Sequence, residues 1–149
     1  MKTKSFISLA LLSLLFALSS CNFNSTYLNR EEDKNEAQKV ADSFYKLLQK
    51  NEFQKINPFL SEQFKAVTSS EKLNDYLRGA LNKLGEIKSE KLDHWESKIV
   101  KGTNPSAIYV LYYIVERTKY QSKETVTLVG ENNQIKIQGY NVNSDGLFK

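Results

Sequence analysis

Apolar residues in the first half of the chain recur at the spacing of an α-helix. Over Glu32–Lys50 they return every three or four positions, which predicts an amphipathic helix with one buried face. Phe53–Leu60 repeats this spacing over a shorter stretch, and Pro58 must bend or divide the helix predicted there. Phe64 and Val67 are expected to add one more turn.

The third predicted helix carries signals at both ends. Residues Thr68–Glu71 fit a capping box, in which Ser or Thr is followed three positions later by Glu. An apolar stripe runs from Leu73 to Leu84, and Gly85 is placed to supply a left-handed C-cap.

After Gly85 the hydrophobic period changes to two, which indicates strands. Four are predicted: Ile87–Val100, Ala107–Thr118, Glu124–Val129 and Gln134–Val142. An interruption in the first alternation favours a bulge, and Gly102–Pro105 and Gly130–Asn133 supply turns. The order predicts an α+β fold, with N-terminal helices packed on a curved four-stranded antiparallel sheet.

The strand Ala107–Thr118 is apolar on both of its faces. Ile108, Val110, Tyr112 and Ile114 point one way, and Tyr109, Leu111, Tyr113 and Val115 point the other. Helices packed on one side of the sheet cover only one of these faces. The second face is therefore expected to line a pocket, meet a protein partner or form a dimer interface.

The composition is that of one ordinary globular domain. The chain has 149 residues, of which 40% are hydrophobic and 26% charged; this suits a single core and excludes wholesale disorder. The formal charge of +4 includes Lys2 and Lys4, and the remaining charges are evenly spread. We therefore expect no nucleic-acid partner.

The N-terminus has the pattern of an export signal. Lys2 and Lys4 precede the apolar run Phe6–Leu18. As a helix this run spans roughly 20 Å, short of the roughly 30 Å hydrocarbon core of a bilayer. Residues 1–20 are therefore predicted to be a cleaved signal peptide rather than a membrane span.

The end of this run resembles the lipobox of bacterial lipoproteins, with aliphatic Leu18, small Ser19 and Ser20, and then Cys21, the only cysteine. The resemblance implies that Cys21 becomes the acylated, palmitate-bearing first residue and anchors the protein in the membrane of the bacterial cell envelope. Asn22, where aspartate favours inner-membrane retention in enteric bacteria, indicates the outer membrane. Residues 21–33 are expected to be a flexible lipidated tether, 34–143 the folded domain and 144–149 a tail.

The order of helices and then a meander resembles the nuclear-transport-factor-2-like (cystatin-like) superfamily of cone-shaped folds. Over residues 75–142 the chain resembles an exported bacterial family known as domain of unknown function 4019. The matching residues are Leu84-Gly85, Ile87-Lys88-Ser89, Tyr109-Val110, Tyr112, Lys123–Leu128 and Gly139-Tyr140. That family carries Gly and Trp where Asn133 and Ile135 stand here, so a role for that tryptophan is not transferred. The resemblance implies a cone-shaped fold and export, but no reaction.

His94, the single histidine, is the first candidate for catalysis. Its neighbour Asp93 is expected on the opposite strand face, whereas Glu96 shares its face and is placed to orient it. Enzymes of the superfamily, such as ketosteroid isomerases, use a carboxylate or a histidine–aspartate pair inside the cone. A small hydrolase or isomerase using His94 is therefore one alternative, and an exposed or packed strand histidine is the other.

Aromatic residues on the strands are the second set of candidates. Tyr109, Tyr112, Tyr113 and Tyr140, with Trp95, are expected either to line a ligand pocket or interface or to be ordinary core and sheet residues. The charges of Glu116–Glu124 are expected on a solvated hairpin end.

These patterns predict a lipid-anchored envelope protein whose domain binds, without catalysis, a small apolar ligand or a protein partner. A homodimeric scaffold is a further alternative. No cofactor or metal is expected, because the sequence lacks a phosphate loop, a serine elbow, a calcium loop and a His/Cys cluster.

Overall fold

The computed structural model describes residues 24–149. The predicted signal peptide, the lipobox residues Leu18, Ser19 and Ser20, and the lipidation site Cys21 lie outside this part of the chain.

The helical half has the predicted order. Its elements are α1 (Glu31–Gln49), a 3-10 helix (Phe53–Phe59), α2 (Glu62–Val67) and α3 (Ser70–Leu84). Pro58 lies inside the 3-10 helix, and α2 is the additional turn expected around Phe64 and Val67. The predicted positions of the helices are therefore confirmed.

The N-cap residue of α3 differs from the predicted one. Ser69, not Thr68, is the N-cap, and its hydroxyl accepts a hydrogen bond from the backbone N–H of Lys72 at 3.3 Å. Thr68 instead ends α2, where its N–H donates to the carbonyl of Phe64. Thr68 is thus the C-cap of α2, and the predicted capping box from Thr68 to Glu71 does not form.

The sheet is antiparallel and follows chain order, but it has five strands rather than four. They are β1 (Ser25–Leu28), β2 (Ile87–Lys101), β3 (Ser106–Arg117), β4 (Ser122–Glu131) and β5 (Gln134–Asn143). The α+β class and the antiparallel sheet are confirmed, but the predicted count of four strands is wrong because β1 was missed.

Strand β1 lies within the segment that was predicted to be a flexible tether. Ser25 pairs with Lys101 and Leu28 with Lys98, while Tyr27 packs against the core. Helix α1 begins at Glu31, so the tether prediction is wrong for most of its length. Four residues are too few to show a period, and this strand depends on its pairing partner rather than on its own sequence.

The core lies between the helices and one face of the sheet, here called the inner face. Phe44, Tyr45 and Leu48 of α1 contact this face, which contributes Leu111, Val115, Val126, Leu128 and Ile137. The opposite side, called the outer face, consists of the alternate residues of each strand. The two apolar faces predicted for β3 therefore have different environments.

The last residues are part of the folded domain rather than a separate tail. A 3-10 helix covers Asp145–Phe148, and the Ser144 hydroxyl donates to the carbonyl of Gln121 at 2.7 Å. Gly146 is buried at this contact. Among residues 24–149, no helix is long and apolar enough to cross a membrane.

Alanine substitutions at Gly85 and Gly79 test the fold, because an added Cβ would clash at the first position and meet nothing at the second. Gly85 has a φ of 85°, and a Cβ there would lie 2.0 Å from Oγ1 of Thr118, whereas a Cβ at Gly79 in α3 would meet nothing within 4 Å. We expect Gly85→Ala to lower the free energy of unfolding by at least about 2 kcal/mol, because it combines steric overlap with backbone strain.

Gly79→Ala serves as the control and should raise stability by roughly 0.5–1 kcal/mol through helix propensity. Urea unfolding followed by circular dichroism measures both variants. Equal effects of the two substitutions would contradict the positive φ of Gly85 and its close contact with Thr118.

Candidate functional site

The predicted site residues are divided between the two faces of the sheet rather than gathered in one pocket. Tyr109, Tyr113 and Tyr140 lie on the inner face, with Trp95 half-buried at its margin. His94 and Tyr112, which are paired across β2 and β3, lie on the outer face. These two groups therefore cannot line a single cavity.

His94 lies next to Asp93 in space as well as in sequence. The Nδ1 atom of His94 is 2.9 Å from Oδ2 of Asp93, so the prediction that the two side chains point to opposite faces is wrong. The reason is a register shift in β2 between Leu92 and His94, where Asp93 is the extra residue. A bulge interrupts the strict alternation on which the prediction relied.

The surroundings of His94 do not resemble those of a catalytic base. Its side chain and that of Asp93 are both 56% exposed, and its ring stacks on Tyr112 at a centroid distance of 3.9 Å. Because His94 lies on the outer face, the geometry required for a base inside a cone is absent. The structure gives no support to a hydrolase or isomerase built on His94.

The inner face instead contains a buried ion pair between Arg117 and Glu124. Nη2 of Arg117 donates to Oε1 of Glu124 at 2.7 Å, and the two side chains are 5% and 0% exposed. Nη1 of Arg117 also donates to the carbonyl of Gly85 at 3.3 Å. The pair thus joins the ends of β3 and β4 to the end of α3.

Three hydroxyl groups complete the coordination of the Glu124 carboxylate. Tyr45 donates to its Oε2 at 3.1 Å, Tyr140 donates to the same oxygen, and Ser122 donates to Oε1 at 2.6 Å. Burial, reinforced by the Glu124 charge, raises the pKa of both tyrosines, so they remain protonated donors at neutral pH. We call these five residues the Glu124 cluster.

The charged residues of this cluster were predicted to lie on a solvated hairpin end. That assignment is wrong for Arg117 and Glu124, which are buried, although Glu116, Lys119 and Lys123 are exposed. The alternation of side chains along β3 could have identified Arg117. It lies two positions after Val115 and therefore on the same inner face as Leu111, Tyr113 and Val115.

Little room for a ligand remains around the Glu124 cluster. A cavity bordered by Arg117, Tyr140 and Leu77 measures about 10 Å³. A single water needs at least about 10–15 Å³. Phe44 fills the adjacent space and meets Tyr140 edge-to-face at a centroid distance of 5.0 Å. The protein's own side chains therefore leave no room for a ligand beside Arg117 and Tyr140. A separate open cavity of about 480 Å³, bordered by Ile99, Tyr109 and Ile135, lies at the other end of the sheet.

A second group of polar side chains lies at the margin of α1 and β2. Burial raises the pKa of the carboxyl groups of Asp42 and Glu90. Burial, reinforced by these two negative charges, also raises the pKa of the Tyr113 hydroxyl. That hydroxyl has no hydrogen-bond partner within the part of the chain that the structure describes. No cluster of His, Cys, Asp and Glu able to hold a metal occurs among residues 24–149.

The outer face presents apolar side chains that no helix among residues 24–149 covers. Leu28 is 62% exposed and Ile108 is 45% exposed. The half-buried members of this surface are Val110, Tyr112, Ile114, Thr125, Thr127 and Val129. None of its apolar members belongs to the core cluster or packs against it. This apolar outer face is the candidate binding surface.

A double-mutant cycle measures the energetic coupling between Arg117 and Glu124. We expect Glu124→Gln and Arg117→Met each to lower the free energy of unfolding by about 3–5 kcal/mol, because each leaves a buried charge without its partner. The double variant should lose clearly less than the sum of the two. The measurement is urea unfolding at neutral pH.

Glu116→Gln is the matched control, because Glu116 is the exposed neighbour of Arg117. It should change stability by no more than about 0.5 kcal/mol. Small and additive effects of the two cluster substitutions would show that the ion pair is not a buried unit.

The sequence matches no protein-family model, and no curated protein matches it significantly. The resemblance to a family of exported bacterial proteins therefore stays a prediction.

Proposed function

We propose that this chain is a lipid-anchored protein of the bacterial cell envelope that binds a protein partner through the outer face of its sheet, without catalysis. The observation that carries the proposal is the contrast between the two faces. The inner face packs against the helices and contains the Glu124 cluster, whereas Leu28 and Ile108 on the outer face are exposed apolar side chains.

The chemistry of the outer face favours a protein partner over an enclosed small ligand. The apolar residues form an open surface on adjacent strands, with Ile108 opposite Val129 and Val110 opposite Thr127. Contiguous exposed apolar surface rimmed by polar residues is typical of protein–protein contacts. Charged Glu96 and Lys98 lie on β2 within this face, where Lys98 stands between Leu28 of β1 and Ile108 of β3.

The anchor is proposed from the N-terminal sequence. Lys2 and Lys4, the apolar run Phe6–Leu18 and the lipobox residues before Cys21 support export and acylation. Two or three acyl chains on one cysteine make a stable membrane attachment, whereas one chain is marginal. With Asn22 after the cysteine, the outer membrane is the proposed location.

The finer description of the fold is also an inference. We infer that the sheet curves around the helices as in the cone of the nuclear-transport-factor-2-like superfamily. The order of elements and the bulges in β2 and β5 support it, because bulges bend and twist a sheet.

A second copy of the chain is the alternative partner. The outer face carries both signs of charge, with Glu96 and Lys98 two positions apart on β2. A two-fold axis through such a face can place each glutamate near the lysine of the other copy. The homodimeric scaffold therefore remains the second candidate.

Replacement of the cysteine tests the anchor. Because Cys21 is the only cysteine, a diacylglyceryl group joined to sulfur by a thioether, with its ester-linked acyl chains, can only be on Cys21. We expect wild-type cells to incorporate labelled palmitate into the protein and to hold it in the membrane fraction, and Cys21→Ser to lose both properties. Palmitate incorporation that persists in the variant would refute the assignment of the anchor.

Photo-crosslinking in cells tests the binding face. A photoreactive amino acid at Thr127, beside Val110, is expected to form a specific covalent adduct, whereas the same residue at exposed Gln63 on α2 is not. Adding Val110→Glu should abolish the adduct while circular dichroism stays unchanged, and Gln63→Glu, with the same charge change, should leave it intact.

The mass of the adduct separates the two partners. An adduct of twice the chain mass identifies a second copy, and any other mass identifies a different protein. Equal adducts at Thr127 and Gln63, or none at Thr127, would contradict binding through the outer face.

A further inference from the structure

From the position of β1, we infer that the membrane-facing end of this protein is the pair of turns Gly102–Ser106 and Asn132–Gln134, and that the turn Gly102–Ser106 lies against the lipid headgroups. The inference rests on the proposed acylation of Cys21, and it adds an orientation and a lipid contact surface that acylation alone does not specify.

The first step is the short distance between the anchor and the folded domain. Asn24 already belongs to the fold, because its Oδ1 accepts a hydrogen bond from the backbone N–H of Thr103 at 3.0 Å. Only three peptide steps separate Cys21 from Asn24. Consecutive Cα atoms are about 3.8 Å apart, so the anchor lies at most about 11 Å from Asn24.

The second step compares this reach with the thickness of the bilayer. A cysteine with acyl chains in the hydrocarbon lies at its boundary, and the headgroup region of one leaflet is about 5–8 Å thick. A reach of about 11 Å therefore holds the turn containing Thr103 at or just above the headgroups. The tether predicted over residues 21–33 would have allowed roughly 40 Å.

The third step is the difference in charge between the two ends of the sheet. The turns Gly102–Ser106 and Asn132–Gln134 are exposed and contain no charged residue, although exposed Lys101 directly precedes the first of them. The antiparallel register places the two turns at the same end of the sheet. The nearby Glu131 carboxylate accepts the backbone N–H of Glu62 at 3.1 Å. An uncharged polar surface can approach a headgroup layer without desolvating ions.

The opposite end of the sheet is unsuited to that contact. It carries exposed charges of both signs: Glu116, Lys119, Lys123, Asp145 and Lys149. Strand β3 has 12 residues and so separates the two ends by roughly 40 Å. The charged end therefore points away from the bilayer. The strands then run away from the membrane surface, and the outer face remains accessible to a partner.

Paramagnetic relaxation in a lipid nanodisc tests this orientation. The mature chain Cys21–Lys149, which contains every residue of the described fold, is coupled through Cys21 to a maleimide lipid in a nanodisc containing nitroxide-labelled headgroups. We expect amide relaxation enhancements at Thr103 and Asn133 to be several-fold larger than those at Lys119 and Gln121. Equal enhancement at the two ends, or a larger one at Lys119, would overturn the inference.

A linker variant is the matched control. Insertion of about ten Gly/Ser residues between Cys21 and Asn24 restores a long flexible tether and should remove most of the difference between the ends. If the difference persists at full size, the short reach is not its cause. Because the coupling is chemical, the result does not depend on acylation in the cell, which the palmitate experiment decides separately.

Discussion

Four elements of the fold meet at one fully buried carboxylate, that of Glu124, which forms an ion pair with Arg117. An ionised group away from water is very costly unless its charge is paired and its lone pairs are occupied. Here Arg117 supplies the opposite charge, and hydroxyl groups of Tyr45, Tyr140 and Ser122 supply the remaining donors. These partners come from α1, β3, β4 and β5. The requirement to satisfy one side chain thus fixes how four elements meet.

This constraint explains why the two faces of the sheet differ in use. The cluster and the neighbouring rings of Phe44 and Tyr113 occupy the inner side of the sheet, which leaves a cavity of only about 10 Å³ beside Arg117. The apolar residues of the outer face have no such covering among residues 24–149. The short reach from the proposed anchor has a separate origin, because β1 pairs with β2 and Asn24 already contacts Thr103.

Sequence periodicity predicted the elements well and the site poorly, for identifiable physical reasons. The helices and four strands carry long amphipathic patterns, and their ends lie within about two residues of the expected positions. Strand β1 has no such pattern, since four residues become a strand only by pairing with Lys98–Lys101. The bulge at Asp93 reversed the expected relation to His94. Arg117 and Glu124 were predicted to be exposed because they are charged, although the alternation along β3 and β4 places both on the buried face.

Hydrogen exchange of the backbone amides tests the role of the Glu124 cluster most directly. Strand ends next to a hairpin normally fray and exchange by local opening. If the cluster fixes this end of the sheet, the amides of Val115, Arg117 and Glu124 should exchange only on global unfolding, as slowly as that of central Leu111. Exchange of these end amides much faster than that of Leu111 would contradict the account.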